Sequence, residues 1–112
     1  MALTTGPIEN VGNQPGDADD VRVKILNRAS GPISGLIRAV RLNGTRILIE
    51  EQSYNVPVNS SAIRTLNLDG AFEYEVVIIP NQNGGIFTVY GRSGGTIIDA
   101  QRVLNSELTT SL

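Results

Sequence analysis

The run Phe72-Glu73-Tyr74-Glu75-Val76-Val77-Ile78-Ile79 decides the fold. Phe72, Tyr74, Val76 and Ile78 fall on one face, with Glu73 and Glu75 on the other. A period of two marks a strand with one buried face. Branched and aromatic side chains suit that pleated surface. Further back, Val21 to Leu26 repeats the pattern, with Val21, Val23 and Ile25 against Arg22 and Lys24. A second strand spans about Ser34 to Leu42 with a mixed alternation. Leu36, Val40 and Leu42 share a face with Arg38, while Ile37 and Ala39 share one with Arg41. Asn43-Gly44 follows, and Asn-Gly readily takes the positive φ of a two-residue type I′ turn. Thr45 to Val56 is therefore read as the antiparallel partner.

Ala62 to Leu68 reads as the fourth strand, closed by Asp69-Gly70. Further on, Asn81 to Gly85 reads as a flexible hairpin loop and Ile86 to Tyr90 as the sixth strand. Gly91 to Gly95 reads as a turn, and Thr96 to Leu104 as the seventh strand. Short strands with turn signals between them and no helical period predict an all-β fold. The expected form is a single β-sandwich, jelly-roll-like, of about seven to eight strands.

The two ends read differently. Gly6, Pro7, Gly12, Pro15 and Gly16 interrupt any regular element, so residues 1–20 are expected to form a flexible N-terminal arm. Residues 21–112 are then the sandwich domain. At the far end Leu104, Ser106, Leu108, Thr110 and Leu112 alternate with Asn105, Glu107, Thr109 and Ser111. The Thr-Thr-Ser run favours a strand over a helix, so a C-terminal strand extension is expected.

At 112 residues the chain is one domain. With 40% hydrophobic and 4% aromatic residues, aliphatic side chains must carry the core. There is no Cys, no His and no Trp, which removes disulfides and much of metal and nucleophilic chemistry. A net charge of −2 with interspersed signs argues against a nucleic-acid or anionic-membrane partner. No window approaches the ~18 apolar residues of a membrane helix, so no membrane insertion is expected. Met1 to Gly16 lacks the basic start and apolar stretch of a signal peptide. The chain then stays in its cell, is released by lysis, or has lost a leader, and Met1 speaks against the last.

Candidate chemistry is sparse. Asp17, Asp19 and Asp20 lack the spacing of a calcium loop and read as a solvated acidic linker. Lys24 reads as a surface or edge lysine rather than a side-chain amide partner of Asn67 or Asn105. Glu50, Glu51, Glu73 and Glu75 lack the aromatic platforms that accompany a sugar cleft. Ser60, Ser61 and Ser93 have no His beside them. Asn43-Gly44-Thr45 and Asn59-Ser60-Ser61 match glycosylation sequons and read as turns. Tyr54, Tyr74 and Tyr90 with Arg38, Arg41 and Arg64 form a scattered candidate face for glycan or peptide. The expectation is no enzyme, no cofactor and no metal.

Val21-Arg22-Val23-Lys24, Arg41-Leu42-Asn43-Gly44-Thr45, Val56-Pro57 with Ser60-Ser61, and Tyr74-Glu75-Val76 carry a resemblance. So do Ala100-Gln101-Arg102-Val103-Leu104 with Ser106-Glu107-Leu108, and the opening Thr5-Gly6-Pro7-Ile8-Glu9-Asn10. Together they resemble a group of small uncharacterised proteins from spore-forming Bacillales. In size and layout the chain is similar, more loosely, to subunits of endospore appendages. That likeness implies a jelly roll with a flexible N-terminal connector linking stacked subunits, made in the mother cell. Those connectors carry Cys pairs, and this chain has none, so a fibre here must hold by strand addition and packing.

The expected function is a structural subunit that self-assembles non-covalently into an extracellular or spore-surface filament. An arm or tail of one copy pairs with a sheet edge of the next. The expected assembly residues are Leu3, Ile8 and Val11 in the arm and Leu104, Leu108 and Leu112 in the tail. The expected partner is the chain itself, with a surface anchor protein admitted as a second. The alternative is a small non-enzymatic binding module for glycan or peptide.

Overall fold

The computed structural model describes residues 1–13 and 16–111. The strands, in chain order, are β1 (Ala2–Thr4), β2 (Ile8–Glu9), β3 (Asp20–Asn27), β4 (Ile33–Leu42) and β5 (Arg46–Val56). They continue with β6 (Ser61–Asn67), β7 (Glu73–Pro80), β8 (Gly85–Ser93), β9 (Thr96–Ile97) and β10 (Thr109–Ser111). One antiparallel sheet runs β10-β1-β7-β4-β5, with β2 also on β7, and the other runs β6-β3-β8-β9. The two pack face to face as a β-sandwich. The links from β5 to β8 each cross between the sheets.

The core follows the alternation read from the sequence. Val21, Val23 and Ile25 of β3 point inward beside Phe87 and Val89 of β8, and share one core with Tyr74, Val76 and Ile78 of β7 in the other sheet. On β4 the mixed pattern resolves to Ile33, Ile37 and Ala39 inside. A β-bulge on the partner strand follows this run. Ala39 lies opposite Glu50, but Val40 lies opposite Leu48, so Ile49 is the extra residue on β5. Gly35 leaves room for an aromatic ring. A Cβ there would come within 2.6 Å of the Tyr54 hydroxyl, and Tyr54 meets Phe87 edge-on at 5.8 Å between centroids.

Several expectations need correction. Phe72 precedes β7 and is 76% exposed, although Tyr74, Val76 and Ile78 are buried. The Asn43 connection has three residues, Asn43 to Thr45, because Leu42 pairs with Arg46 and only Gly44 has positive φ there, at 78°. The two-residue turn geometry with positive φ at both positions belongs instead to Asp69-Gly70 (50° and 68°) and Gly94-Gly95 (55° and 84°). Asn81 to Gly84 is a crossover between sheets rather than a hairpin loop. The long last strand is also absent. β9 ends at Ile97, and the chain turns through short 3₁₀ segments at Asp99–Gln101 and Asn105–Glu107. Asp, Asn and Ser favour such turns over a ladder. The tail then crosses to the other sheet as β10.

The N-terminal segment is not a free arm in this structure. Ala2–Thr4 and Ile8–Glu9 lie as strands against β7. Ile8 is buried and Leu3 packs on the core, which compensates for ordering two very short strands.

Candidate assembly site at the terminal strands

The open side of β7 is filled by the first ten residues. Leu3 and Thr4 face Ile78 and Val77, while Ile8 and Glu9 face Tyr74 and Glu73. The register slips by one residue between these pieces, at Thr5 to Pro7. Gly6 takes φ +70° there, a conformation open to glycine. Thr5 mends the ladder across the slip. Its N–H donates to Val76 O at 3.0 Å, and its hydroxyl oxygen accepts from Val76 N–H at 3.0 Å. The Thr4 hydroxyl accepts from Gly6 N–H at 3.0 Å and donates to the Glu75 carboxylate.

Asn10 ends the segment as a latch. Only 2% of it is exposed, and its backbone N–H donates to Phe72 O at 2.8 Å. Its side-chain amide donates to Ala18 O at 3.1 Å and Ala71 O at 2.9 Å. Its Oδ1 accepts from Ala18 N–H at 2.7 Å and from Gln101 Nε2 at 2.8 Å. Gln101, equally buried, also donates to Glu9 O at 3.2 Å and accepts from the Tyr74 hydroxyl at 2.6 Å. Burial alone raises the Tyr74 hydroxyl well above the ordinary tyrosine range. Gly91 makes space for this network, since a Cβ there would lie 2.0 Å from Gln101 Oε1. These groups come from five separate parts of the chain, and each main-chain bond they make fixes where the N-terminal segment enters the sandwich.

β10 completes the site. Ala2, Leu3 and Thr4 of β1 pair with Ser111, Thr110 and Thr109, so the first and last strands lie side by side. Among the described residues no strand pairs on the far side of β10. The other sheet edges are covered differently. Across the β5–β6 seam, Gln52 Nε2 donates to Thr65 O at 2.7 Å and Asn67 N–H donates to Glu50 at 2.7 Å. Arg64 Nε donates to Ser53 O at 3.0 Å. Beyond β8, Val103 exchanges backbone bonds with Val89, and Asn105 Oδ1 accepts from Phe87 N–H at 3.0 Å. Side chains that consume edge donors and acceptors discourage strand addition there.

The expected assembly residues divide between core and surface. Leu3, Ile8 and Leu108 pack on the core. Val11 is 53% and Leu104 50% exposed. Leu112 lies outside the described residues. The alternation of the sequence does not point to Thr5, Asn10, Gly91 or Gln101. A glycine within a β-patterned run is the one local signal, since such a glycine often marks a close approach.

Other candidates take structural places. Asp20 forms a two-pronged pair with Arg92 at 2.9 Å, and its hydrogen bond raises the guanidinium pKa. Asp19 accepts from Gly94 N–H at 2.8 Å and Asp17 from Asn13 N–H at 3.1 Å, so the cluster is not a merely solvated linker. Among the described residues no group of three or more acidic side chains is placed to hold a metal ion. Lys24 is exposed on a central strand, not an edge, and lies opposite Ile63 and Thr88. Glu75 pairs with Arg46 at 2.9 Å and Glu51 with Arg38 at 2.6 Å. Tyr54, Tyr74 and Tyr90 are buried, so they do not form a surface face with Arg38, Arg41 and Arg64. Tyr54 lies inward on β5, and burial pushes its hydroxyl up to about 12.

No family model, no curated protein and no solved structure matches the chain.

Proposed function

We propose that this protein is a non-enzymatic structural subunit. Copies join through their terminal strands into an open filament on the outside of a cell or spore. The observation that carries the reading is the pairing of β1 with β10 at the edge of the larger sheet, with the far side of β10 unpaired among the described residues. A row of free main-chain donors and acceptors is a template for a further strand. A contact between two different surfaces of identical copies extends without closing unless its rotation closes a ring. The side-chain cover over part of the β5–β6 seam and over β8 disfavours growth there. The burial of all three tyrosines removes the main support for a glycan-binding face.

Sedimentation velocity over a concentration series tests this. The expected result is a rising fraction of large, polydisperse species as concentration increases. A single sedimentation coefficient of a 12.0 kDa monomer at every concentration would overturn the reading.

A further inference from the structure

We infer that the first ten residues of the chain are exchanged between copies and serve as an inter-subunit strand beside β10, at the same terminal edge. This rests on the self-assembly reading above. Within one chain, Ala2–Thr4 fill a slot between β7 and β10, and Ile8–Glu9 continue along β7. A neighbouring copy's residues 1–10 can fill the same slot with the same ladder, the same Thr5 bonds and the same Asn10 latch. Exchange of an identical element costs little, because the bonds and apolar packing broken within a chain form again between chains.

The two ends of the connecting segment lie together, and its described bonds are exposed. Asn10 and Ala18 touch, with Ala18 N–H donating to Asn10 Oδ1 at 2.7 Å, so residues 11–17 leave and return to one place. The bonds from Asn13 to Asp17 within that loop are exposed: the Asn13 N–H and its side-chain amide both reach Asp17 Oδ1. Val11 projects into solvent and Gly12 takes φ +76°. Straightened, Val11 to Asp17 spans roughly 24 Å at about 3.4 Å per residue. That matches the 22 Å shortest dimension of the molecule, so the strand can reach a stacked neighbour. Where each copy gives its strand to one neighbour and receives from another, rather than reciprocally with one partner, the exchange propagates a chain of subunits.

The latch sets the register. Asn10 fits only where Ala71 O, Gln101 and Ala18 converge, so a donated strand cannot slide along β7. Two tiny strands alone would specify register poorly.

The experiment uses the full chain carrying Thr4→Cys and Val77→Cys, which face each other across β1 and β7. No native cysteine competes. Samples are concentrated, checked by light scattering for assembly, oxidised, and run on a denaturing gel with and without reductant. The expected result is a ladder of covalent multimers that collapses to one band on reduction. Assemblies whose disulfides stay within single chains would overturn strand exchange and leave self-assembly standing. Absence of any assembly in wild type and variant alike would overturn both. Should the double variant fail to fold, a synthetic peptide of residues 1–10 is added in excess to wild-type chain. Exchange predicts severalfold shorter assemblies, and unchanged assembly size would contradict it.

Discussion

The Tyr74 hydroxyl donates a 2.6 Å hydrogen bond to Gln101 Oε1 inside the sandwich, joining two residues far apart in sequence. Through Gln101 the bond reaches Asn10, so the strand in the middle of the sheet and the entry of the N-terminal segment share one polar network. Such a network stabilises when every member is satisfied and costs heavily when one is removed.

Tyr74→Phe tests that cost. The substitution keeps the ring and strips one bond from a buried Gln101 oxygen. The expected loss is about 1–3 kcal/mol, read from urea denaturation with an unchanged slope. Stability equal to wild type would mean that the network contributes nothing net.

Gly91→Ala attacks the same network sterically. A Cβ at 2.0 Å from Gln101 Oε1 and 2.9 Å from the Tyr74 hydroxyl forces Gln101 aside. The expected loss is about 1–3 kcal/mol by overpacking. Hydrogen exchange at β1 and β2 should also speed up, because Asn10 loses its Gln101 partner. Denaturation and amide exchange unchanged from wild type would contradict the placement.

Alkaline pH should unfold the chain through its buried tyrosines. Burial raises the hydroxyls of Tyr54, to about 12, and Tyr74 above that range. A raised folded pKa keeps its stabilising share intact below the ordinary tyrosine value of about 10. That share falls as pH rises from there through the folded values. A pH series of denaturation midpoints should therefore decline above about pH 10, with Tyr54 and Tyr74 ionising together with unfolding. Tyrosinate formation at Tyr54 and Tyr74 in a fully folded chain near pH 10 would contradict the burial.

Phe72→Ser should leave stability within about 0.5 kcal/mol of wild type, since the ring is largely in water. A loss of several kcal/mol would restore the reading that places Phe72 on the core face.

Phe72 also marks the limit of what alternation can say. The period of two reads correctly wherever a strand is long and covered on one side, as with Val21, Val23 and Ile25 or Tyr74, Val76 and Ile78. It overruns the strand at Phe72, because periodicity does not report where pairing begins. It overruns again after Ile97, where Asp99 and Asn105 favour turns and Gln101 is drawn inward to Tyr74. The first ten residues read as a loose arm because Gly6 and Pro7 break the pattern. Their strand state comes from β7, a partner distant in sequence. The latch is hidden for the same reason: Asn10 and Gln101 look like ordinary polar residues until the fold brings their amides together. Of the terminal leucines, the pattern identifies apolar positions and does not say whether each faces its own core or another copy.

The most direct test of the central claim is negative-stain electron microscopy of the full-length chain at high concentration. Self-assembly through the terminal strands predicts long fibres of uniform width. Discrete particles of monomer size across the grid would contradict it.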